Sequence, residues 1–336
     1  MNRDICGFYH DPPLWVGDSP IEPGDLTPPN FADFAESMIT GTLSDGIKFN
    51  VSRDGLFAFD FTSWAPGHFP PDLGPGVFEQ TAELLLNQIS VMNSFLVFLY
   101  TNELKIARFN RERMLITPEL RIPLDAIEGT SNMGFGNQRV ACLAMARFAS
   151  TYRSDLPVSF DSRMVGRFPI STEIVEAALN DLSAVTGAAH PDGLALLDLF
   201  QRAGKAYQDH NHASAVITYW GVIERLLQEM WSEFQAANVQ RDGSDFITGE
   251  RRSRLNDGKT FTAAVITETL SFVSLLPLDV YAKLNKVRKV RNDWMHGTKT
   301  RVSGGEARTA AGACEEMLKL VRGVVVTGPQ GLRLHG

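Results

Sequence analysis

Three polar residues near the C-terminal end of the chain combine the side-chain types needed to bind a phosphate group and to move a proton. Arg291 and Asn292 are adjacent, and His296 follows five residues after the arginine. Arginine stays charged and presents a planar fork of N–H donors to phosphate oxygens. Histidine, with an ordinary pKa of about 6.5, serves as acid or base at neutral pH. These three residues therefore form a candidate catalytic site.

The segment that carries them is predicted to be a basic helix that starts near Leu278 or Asp279 and ends before Gly297, a residue typical of helix C-termini. Its apolar residues recur at helical spacing: Val280, Leu284, Val287 and Trp294. On a straight helix, at about 100° per residue, Arg291 and His296 would point about 140° apart. They could face one small site only if the helix were distorted or ended at His296, or if a second copy of the chain supplied the other half.

Positive charge is concentrated around this motif. The chain has a net charge of −7, but residues 191–336 contain 19 Lys and Arg against 16 Asp and Glu, so the first 190 residues carry −10. Residues 281–301 contain seven Lys and Arg and a single acid, Asp293. Such a cluster within an acidic protein indicates a local anion-binding surface. The alternative is an ordinary solvated helix face.

Taken together, the motif, its helical setting and its basic flank resemble the HEPN domains, which are helical nucleotide- and RNA-binding domains of prokaryotic defence, toxin and RNA-processing proteins. The HEPN signature is an Arg, four to six residues and a His, often with a polar residue directly after the Arg. Here the matching segment is Arg-Asn-Asp-Trp-Met-His, from Arg291 to His296. The preceding long helix, with Glu224 inside Tyr-Trp-Gly-Val-Ile-Glu-Arg-Leu-Leu, also resembles the family, and the likeness covers about residues 190–325. Thr298 stands where one subfamily of HEPN toxins has a Tyr that a partner enzyme nucleotidylates, which argues against membership in that subfamily.

This resemblance implies a metal-independent endoribonuclease that works as a homodimer, with the two motifs facing each other in a cleft. Arg291 and His296 would be the catalytic pair, and Asn292 would donate to the same phosphate or orient the histidine. Three further cations would hold the RNA backbone, so that binding weakens with salt: Arg288, Lys289 and Lys299. No cofactor or metal is expected, and no Asp, Glu and His cluster with two-metal spacing competes for the role.

Other interpretations remain open at this point. A HEPN-like domain can bind RNA or a nucleotide, or a protein partner, without cleaving anything, and an antitoxin-like or scaffolding dimer is a third possibility. Arg291 and His296 could also be a surface residue and a helix end with no site.

Among the supporting residues, Glu224 is interpreted as a buried structural partner of an Arg or Lys rather than a catalyst. Asp293 is interpreted as a member of a local ion pair, and Trp294 as a core or dimer-interface residue.

The sequence predicts an α+β N-terminal domain over residues 1–170, followed by an all-α HEPN-like helical bundle over residues 171–330. Residues 1–30 are rich in Pro and Gly and are predicted to be an irregular arm. Alternating apolar residues around Asp54-Gly55 indicate a β-hairpin. The other predicted elements are a helix at 77–101, strands near 105–109 and 113–123, a helix at 139–150, and helices at 173–185, 192–207, 212–237, 260–272 and 306–326.

Composition favours a folded protein of the cytoplasm. The 336 residues are 44% hydrophobic, and the three cysteines, Cys6, Cys142 and Cys314, lie too far apart for a disulfide framework or a zinc site. No signal peptide is recognised, and the most apolar run, residues 95–100, is far shorter than the roughly 20 residues of a membrane span. The N-terminal domain is too large and too rich in Phe for a linker. We expect it to act as a sensor or specificity module that meets a protein trigger, which by family habit would make the chain a defence effector.

Overall fold

The structure is a computed structural model that describes residues 4–19, 35–64, 77–124, 167–188, 192–241 and 244–329. The chain divides into two compact units, Met1–Asp198 and Leu199–Gly336. A sheet-containing region therefore precedes a helical region, as the sequence predicts. The predicted helix at 139–150 lies outside the described residues.

The first unit contains a five-stranded antiparallel sheet in the order β3-β4-β5-β1-β6 and a separate parallel pair, β2 with β7. The strands are β1 Ile5–Tyr9, β2 Leu14–Val16, β3 Ser37–Thr42, β4 Lys48–Ser52, β5 Leu56–Asp60, β6 Ile122–Leu124 and β7 Phe168–Ile170. The predicted hairpin is confirmed, because β4 and β5 pair with Val51 opposite Phe57. Gly55 in the turn has a φ of +79°, a conformation that favours glycine.

The prediction of an irregular arm over residues 1–30 is wrong for its described part. Strand β1 lies between β5 and β6, and all five of its residues are buried. A strand that is covered on both faces shows no alternation of apolar and polar residues, so its sequence lacks the usual signal. The predicted strands at 105–109 and 113–123 are also largely absent, since among the described residues of this stretch only Ile122–Leu124 forms a strand.

A long helix, α1 (Val77–Ile106), supplies the core of this unit, and helix α2 (Thr172–Thr186) packs against it. Phe95 on α1 contacts Phe8, Phe57 and Phe59 of the sheet. Within the described residues, Ala82–Ile106 is the one stretch long and apolar enough to cross a membrane, but 61% of its most apolar window is buried inside the structure. That burial is compatible with the core helix of a soluble protein.

A buried histidine joins the strand layer to helix α1. The ring of His10 is fully buried; its Nδ1 lies 2.9 Å from the Pro12 carbonyl oxygen and its Nε2 lies 2.9 Å from the Tyr100 hydroxyl. Because the carbonyl can only accept, Nδ1 carries the proton and Nε2 accepts from Tyr100, which leaves the imidazole neutral. Desolvation by burial lowers the pKa of His10 from 6.5 to about 4.

The second unit consists of helices joined by short connections. Its elements, with the helix that enters it, are α3 Gly193–Gln208, α4 His212–Ala237, β8 Gln240–Arg241, β9 Ser244–Asp245, α5 Gly249–Leu255, α6 Ala263–Phe272, α7 Leu278–Met295 and α8 Gly304–Arg322. Helix α4 is the central element, because α6, α7 and α8 all pack against it. Its buried stripe includes Trp220, Ile223, Leu227 and Trp231, which confirms the helix predicted at 212–237.

Helix ends in this unit follow local chemistry. Ser303 and Glu306 form a capping box at the start of α8. That helix ends at Gly323, whose φ is +67°, rather than at residue 326. The helix predicted at 260–272 begins three residues later, at Ala263: Thr262 caps it, whereas the Thr260 hydroxyl donates to Asp257 at 2.7 Å in the preceding turn.

The neutral state of His10 makes stability depend on pH. Between pH 6.5 and 4 the unfolded chain binds a proton that the folded chain does not, so the free energy of unfolding falls as the pH is lowered through this range. We expect the wild-type protein to lose about 2 kcal/mol more than a His10→Gln variant between pH 7 and pH 5, as measured by urea unfolding. If the variant kept the full pH dependence of the wild type, other groups would be responsible for it.

Candidate active site

Helix α7 ends at the motif. Its last helical residue is Met295, and His296 is the C-cap, with a φ of −93° and a ψ of 6°. The His296 amide still donates to the Asn292 carbonyl at 2.9 Å, and Gly297 then turns the chain with a φ of +73°. His296 is therefore the point at which the backbone leaves the helix, which is one of the conditions under which Arg291 and His296 can face one site.

The two side chains line the same cleft, within one chain. The cleft has a volume of about 560 Å³ and lies between helix α4, the connection before α6 and the end of α7. Its walls are formed by Trp220, Glu224, Gln228, Gly258, Phe261, Thr262, Ala263, Ala264, Arg288, Arg291, Asn292 and His296. The structure thus brings together the proposed catalytic residues, the predicted RNA-binding Arg288 and the internal Glu224 of the long helix.

The connection before α6 is held against α4 by hydrogen bonds. Trp231 Nε1 donates to the Leu255 carbonyl at 3.0 Å, and Gln235 donates to Asn256 at 2.9 Å. The Phe261 amide donates to the Asp257 carbonyl at 2.8 Å, which closes the turn that precedes the helix. These bonds set one wall of the cleft and place the N-terminus of α6 beside it.

The guanidinium groups in the cleft are only partly satisfied by protein acceptors. Arg291 Nη1 donates to Asn292 Oδ1 at 3.0 Å, which orients the guanidinium and leaves the Asn292 amide nitrogen free to donate to a ligand. Arg288 Nη2 donates to Asn285 at 3.2 Å, and its buried Nε has no hydrogen-bond partner among the described residues. Two arginines that keep unused N–H donors make this part of the cleft attractive to an anion.

Helix α6 adds to the positive potential. Thr262, Ala263 and Ala264 are its N-cap and first two residues, and all three line the cleft. The N–H groups of a first helical turn have no acceptor within the helix, and the helix dipole places partial positive charge at this end. Phosphate groups bind readily at such positions.

Glu224 is not the buried partner of an Arg or Lys that the sequence suggests. It is half-buried and lines the cleft, and no Lys, Arg or His of the described residues lies within 4 Å of its carboxylate. It is therefore an acid in a cleft with two arginines that forms an ion pair with neither. Asp293 likewise forms no ion pair with a described residue, although its backbone carbonyl accepts a hydrogen bond from the backbone amide of Lys299 at 3.0 Å.

Two of the predicted RNA-binding residues lie elsewhere. Lys289 and Lys299 line a second pocket of about 440 Å³, together with Asp293 and Glu306. Lys289 is two residues before Arg291, about 200° away around the helix, so it faces the other side of α7. Lys299 Nζ pairs with Glu306 at 2.8 Å. Trp294 is half-buried, and its neighbour Met295 is 56% exposed.

Sequence reasoning missed two side chains of the cleft, Phe261 and Gln228. Phe261 falls inside the helix predicted at 260–272, but it lies before the helix and its ring is stacked on Trp231. Gln228 is one helical turn after Glu224, and that spacing is the only signal that could have indicated it.

The described residues include no cluster of three or more His, Cys, Asp and Glu that could hold a metal ion.

No protein-family profile matches this chain, and no curated protein or solved structure shows detectable similarity to it.

The left-handed turn at Gly297 sets where α7 ends. The destabilisation caused by a non-glycine residue at this position can be measured. In a Gly297→Ala variant the added Cβ meets no other atom within 4 Å, so only the backbone conformation is penalised. We expect the free energy of unfolding to fall by about 1 kcal/mol. The matched control is Gly305→Ala, within α8, where alanine is the better helix former and stability should stay equal or rise. Equal stability of Gly297→Ala and wild type in urea unfolding would contradict this account of the turn.

Proposed function

We propose that the helical unit is a HEPN-like, metal-independent endoribonuclease that acts as a homodimer, and that the chain is an RNA-cleaving defence or toxin-like effector. One observation supports this most strongly: Arg291, Asn292 and His296 line one cleft, beside a second arginine and a helix N-terminus. These are the groups that metal-free cleavage of a phosphodiester requires.

The phosphate would bind between the arginines and the start of helix α6. Arg291, held by Asn292, would donate to the non-bridging oxygens, where negative charge increases as the phosphorane forms. Arg288 would supply the second guanidinium, since it keeps a buried N–H without an acceptor among the described residues. This arrangement stabilises the transition state by fixed positive groups rather than by a metal ion.

His296 would move the protons. An imidazole takes the proton from the ribose 2′-hydroxyl, O2′ attacks phosphorus, and the bond from phosphorus to O5′ breaks. O5′ then takes a proton, which gives a 2′,3′-cyclic phosphate and a free 5′-hydroxyl without any other reactant. DNA has no 2′-hydroxyl and would not be cut.

A second copy of the chain would complete the site. The base and the acid of this reaction lie on opposite sides of the phosphorus, whereas the cleft of one chain contains one imidazole, that of His296. Met295, exposed beside the motif, and half-buried Trp294 offer an apolar surface that such a copy could cover. We therefore place the dimer contact at the end of α7.

The N-terminal unit would sense a trigger or select the RNA. This unit has a folded core of its own, so it can act as a separate module. The charge of −10 over the first 190 residues favours a protein partner over nucleic acid. The basic residues of the helical unit would instead bind the RNA.

The activity is tested by incubating the full chain with a mixed-sequence RNA in EDTA. We expect 2′,3′-cyclic phosphate ends, and at least a 100-fold loss of the single-turnover rate in His296→Ala and in Arg291→Ala, the scale of removing a catalytic acid or base or a transition-state donor. The control is His210→Asn, which removes an exposed imidazole outside the cleft at a φ of +59°, where Asn is tolerated. Unchanged cleavage by His296→Ala would contradict the proposal. Binding without cleavage, lost in Arg291→Ala but kept in His296→Ala, would identify a binding module instead.

The dimer is tested by a charge at the end of α7. We expect the wild-type protein to sediment as a dimer and Met295→Glu to sediment as a monomer with at least 100-fold slower RNA cleavage, because two like charges would meet at the two-fold axis and separate the paired sites. Leu86→Glu, at a similarly exposed apolar residue of helix α1, is the matched control and should remain a dimer. A Met295→Glu protein that stays dimeric and active would place the contact elsewhere.

A further inference from the structure

The cleft also contains side chains whose chemistry differs from that of the arginines. Phe261 lines it, and the ring of Phe261 is stacked on Trp231 with the centroids 5.3 Å apart and the planes at 22°. Trp231 is in turn stacked on Phe234 at 5.6 Å and 25°. Of these three packed rings, Phe261 is the one that lines the cleft, and it is half-buried. A flat aromatic ligand could extend this stack by one ring.

Two polar side chains of helix α4 also line the cleft. Glu224 and Gln228 are one turn apart on α4, so they project from the same face of the helix. Neither has a hydrogen bond or ion pair with another side chain among the described residues. A carboxylate only accepts hydrogen bonds, and a phosphodiester also only accepts. Glu224 would repel an RNA backbone, so a ligand here must offer N–H or O–H donors.

We propose that Phe261, Glu224 and Gln228 form a nucleobase subsite in this cleft that selects guanine. The proposal rests on the proposed function, because it assigns the base of an RNA substrate whose phosphate lies at the arginines. Phe261 would stack on the base. Glu224 would accept from N1–H and from the exocyclic N2 amino group, which lie side by side on the Watson–Crick edge and match the two oxygens of a carboxylate. Gln228 would donate its amide N–H to O6.

The other three bases do not fit this donor pattern. Adenine and cytosine each place an amino group beside a ring nitrogen that accepts, so the second carboxylate oxygen would face a lone pair. Uracil has one N–H between two carbonyl oxygens, so one oxygen of Glu224 would accept from that N–H while the other would face a carbonyl oxygen. Leaving a buried acceptor against another acceptor costs a site much of its affinity, so guanine is the base that satisfies both oxygens of Glu224.

Binding of single nucleotides to the full chain tests this subsite without any need for cleavage. The probes are the 5′-monophosphates of guanosine, adenosine, cytidine and uridine, measured by calorimetry and by the tryptophan fluorescence of Trp231 next to the platform. We expect guanosine monophosphate to bind at least ten times more tightly than the other three. Glu224→Gln should reduce that preference to less than threefold, because one acceptor becomes an N–H that opposes the donors of guanine. The matched control is Glu233→Gln, an exposed residue of the same helix, which should keep the preference.

The stacking platform is tested separately. Phe261→Leu removes the π-face but keeps an apolar side chain against Trp231, and it should weaken all four nucleotides about tenfold while leaving their order unchanged. Phe261→Trp should restore the affinity. A wild-type protein that binds the four nucleotides equally, or a guanine preference that survives Glu224→Gln, would overturn the inference.

The outcomes separate this inference from the proposed function. If the chain selects guanosine monophosphate but cuts no RNA, the subsite is correct and the ribonuclease proposal fails. If it cuts RNA with no base preference, the ribonuclease proposal stands and the subsite fails. If both hold, the cleavage sites in a mixed-sequence RNA will lie next to guanosines, and Glu224→Gln will remove that preference while Glu233→Gln keeps it.

Discussion

The end of helix α7 is the constraint on which the candidate site depends. A helix that continued past residue 296 would direct Arg291 and His296 to different faces, about 140° apart. The chain instead makes a cap at His296 and enters a left-handed turn at Gly297, so the imidazole stands where the helix stops. After the turn, the Lys299 amide donates back to the Asp293 carbonyl, and Lys299 lines the second pocket, on the other side of α7. The turn thus separates His296, which lines the cleft, from Lys299, which does not.

Helix α4 provides the second requirement, a fixed wall opposite α7. Its buried stripe packs on α6, α7 and α8, so the helix has little freedom to shift. Glu224 and Gln228 lie at the edge of that stripe and are positioned by the packing of their neighbours. The connection before α6 is tied to the same helix by Trp231 and Gln235. Both walls of the cleft therefore derive their geometry from one well-packed element.

The sequence predicts the elements that depend on neighbouring residues, but not those that depend on tertiary contacts. The hairpin at Asp54-Gly55 and the long helix α4 depend on neighbouring residues, and both predictions are confirmed. Strand β1 was missed because it is buried on both faces and shows no alternation. At the site, the spacing of Arg291 and His296 marked the motif, but only the fold shows that Phe261 reaches the same cleft. Its partner Trp231 is 30 residues away in sequence, and no pattern connects them.

The separation of charges within the cleft decides what it can bind. If Glu224 had paired with Arg288 or Arg291, the ion pair would satisfy both groups and leave the cleft nearly neutral, with little to offer a charged ligand. The carboxylate instead has no cation of the described residues within 4 Å, and the guanidiniums keep donors unused. A ligand that satisfies both groups must carry acceptors for the guanidiniums and N–H donors for the carboxylate. A nucleotide has this polarity, with its phosphate and its base on opposite sides of the sugar, whereas a bare anion or a purely cationic ligand would leave one end of the cleft unsatisfied.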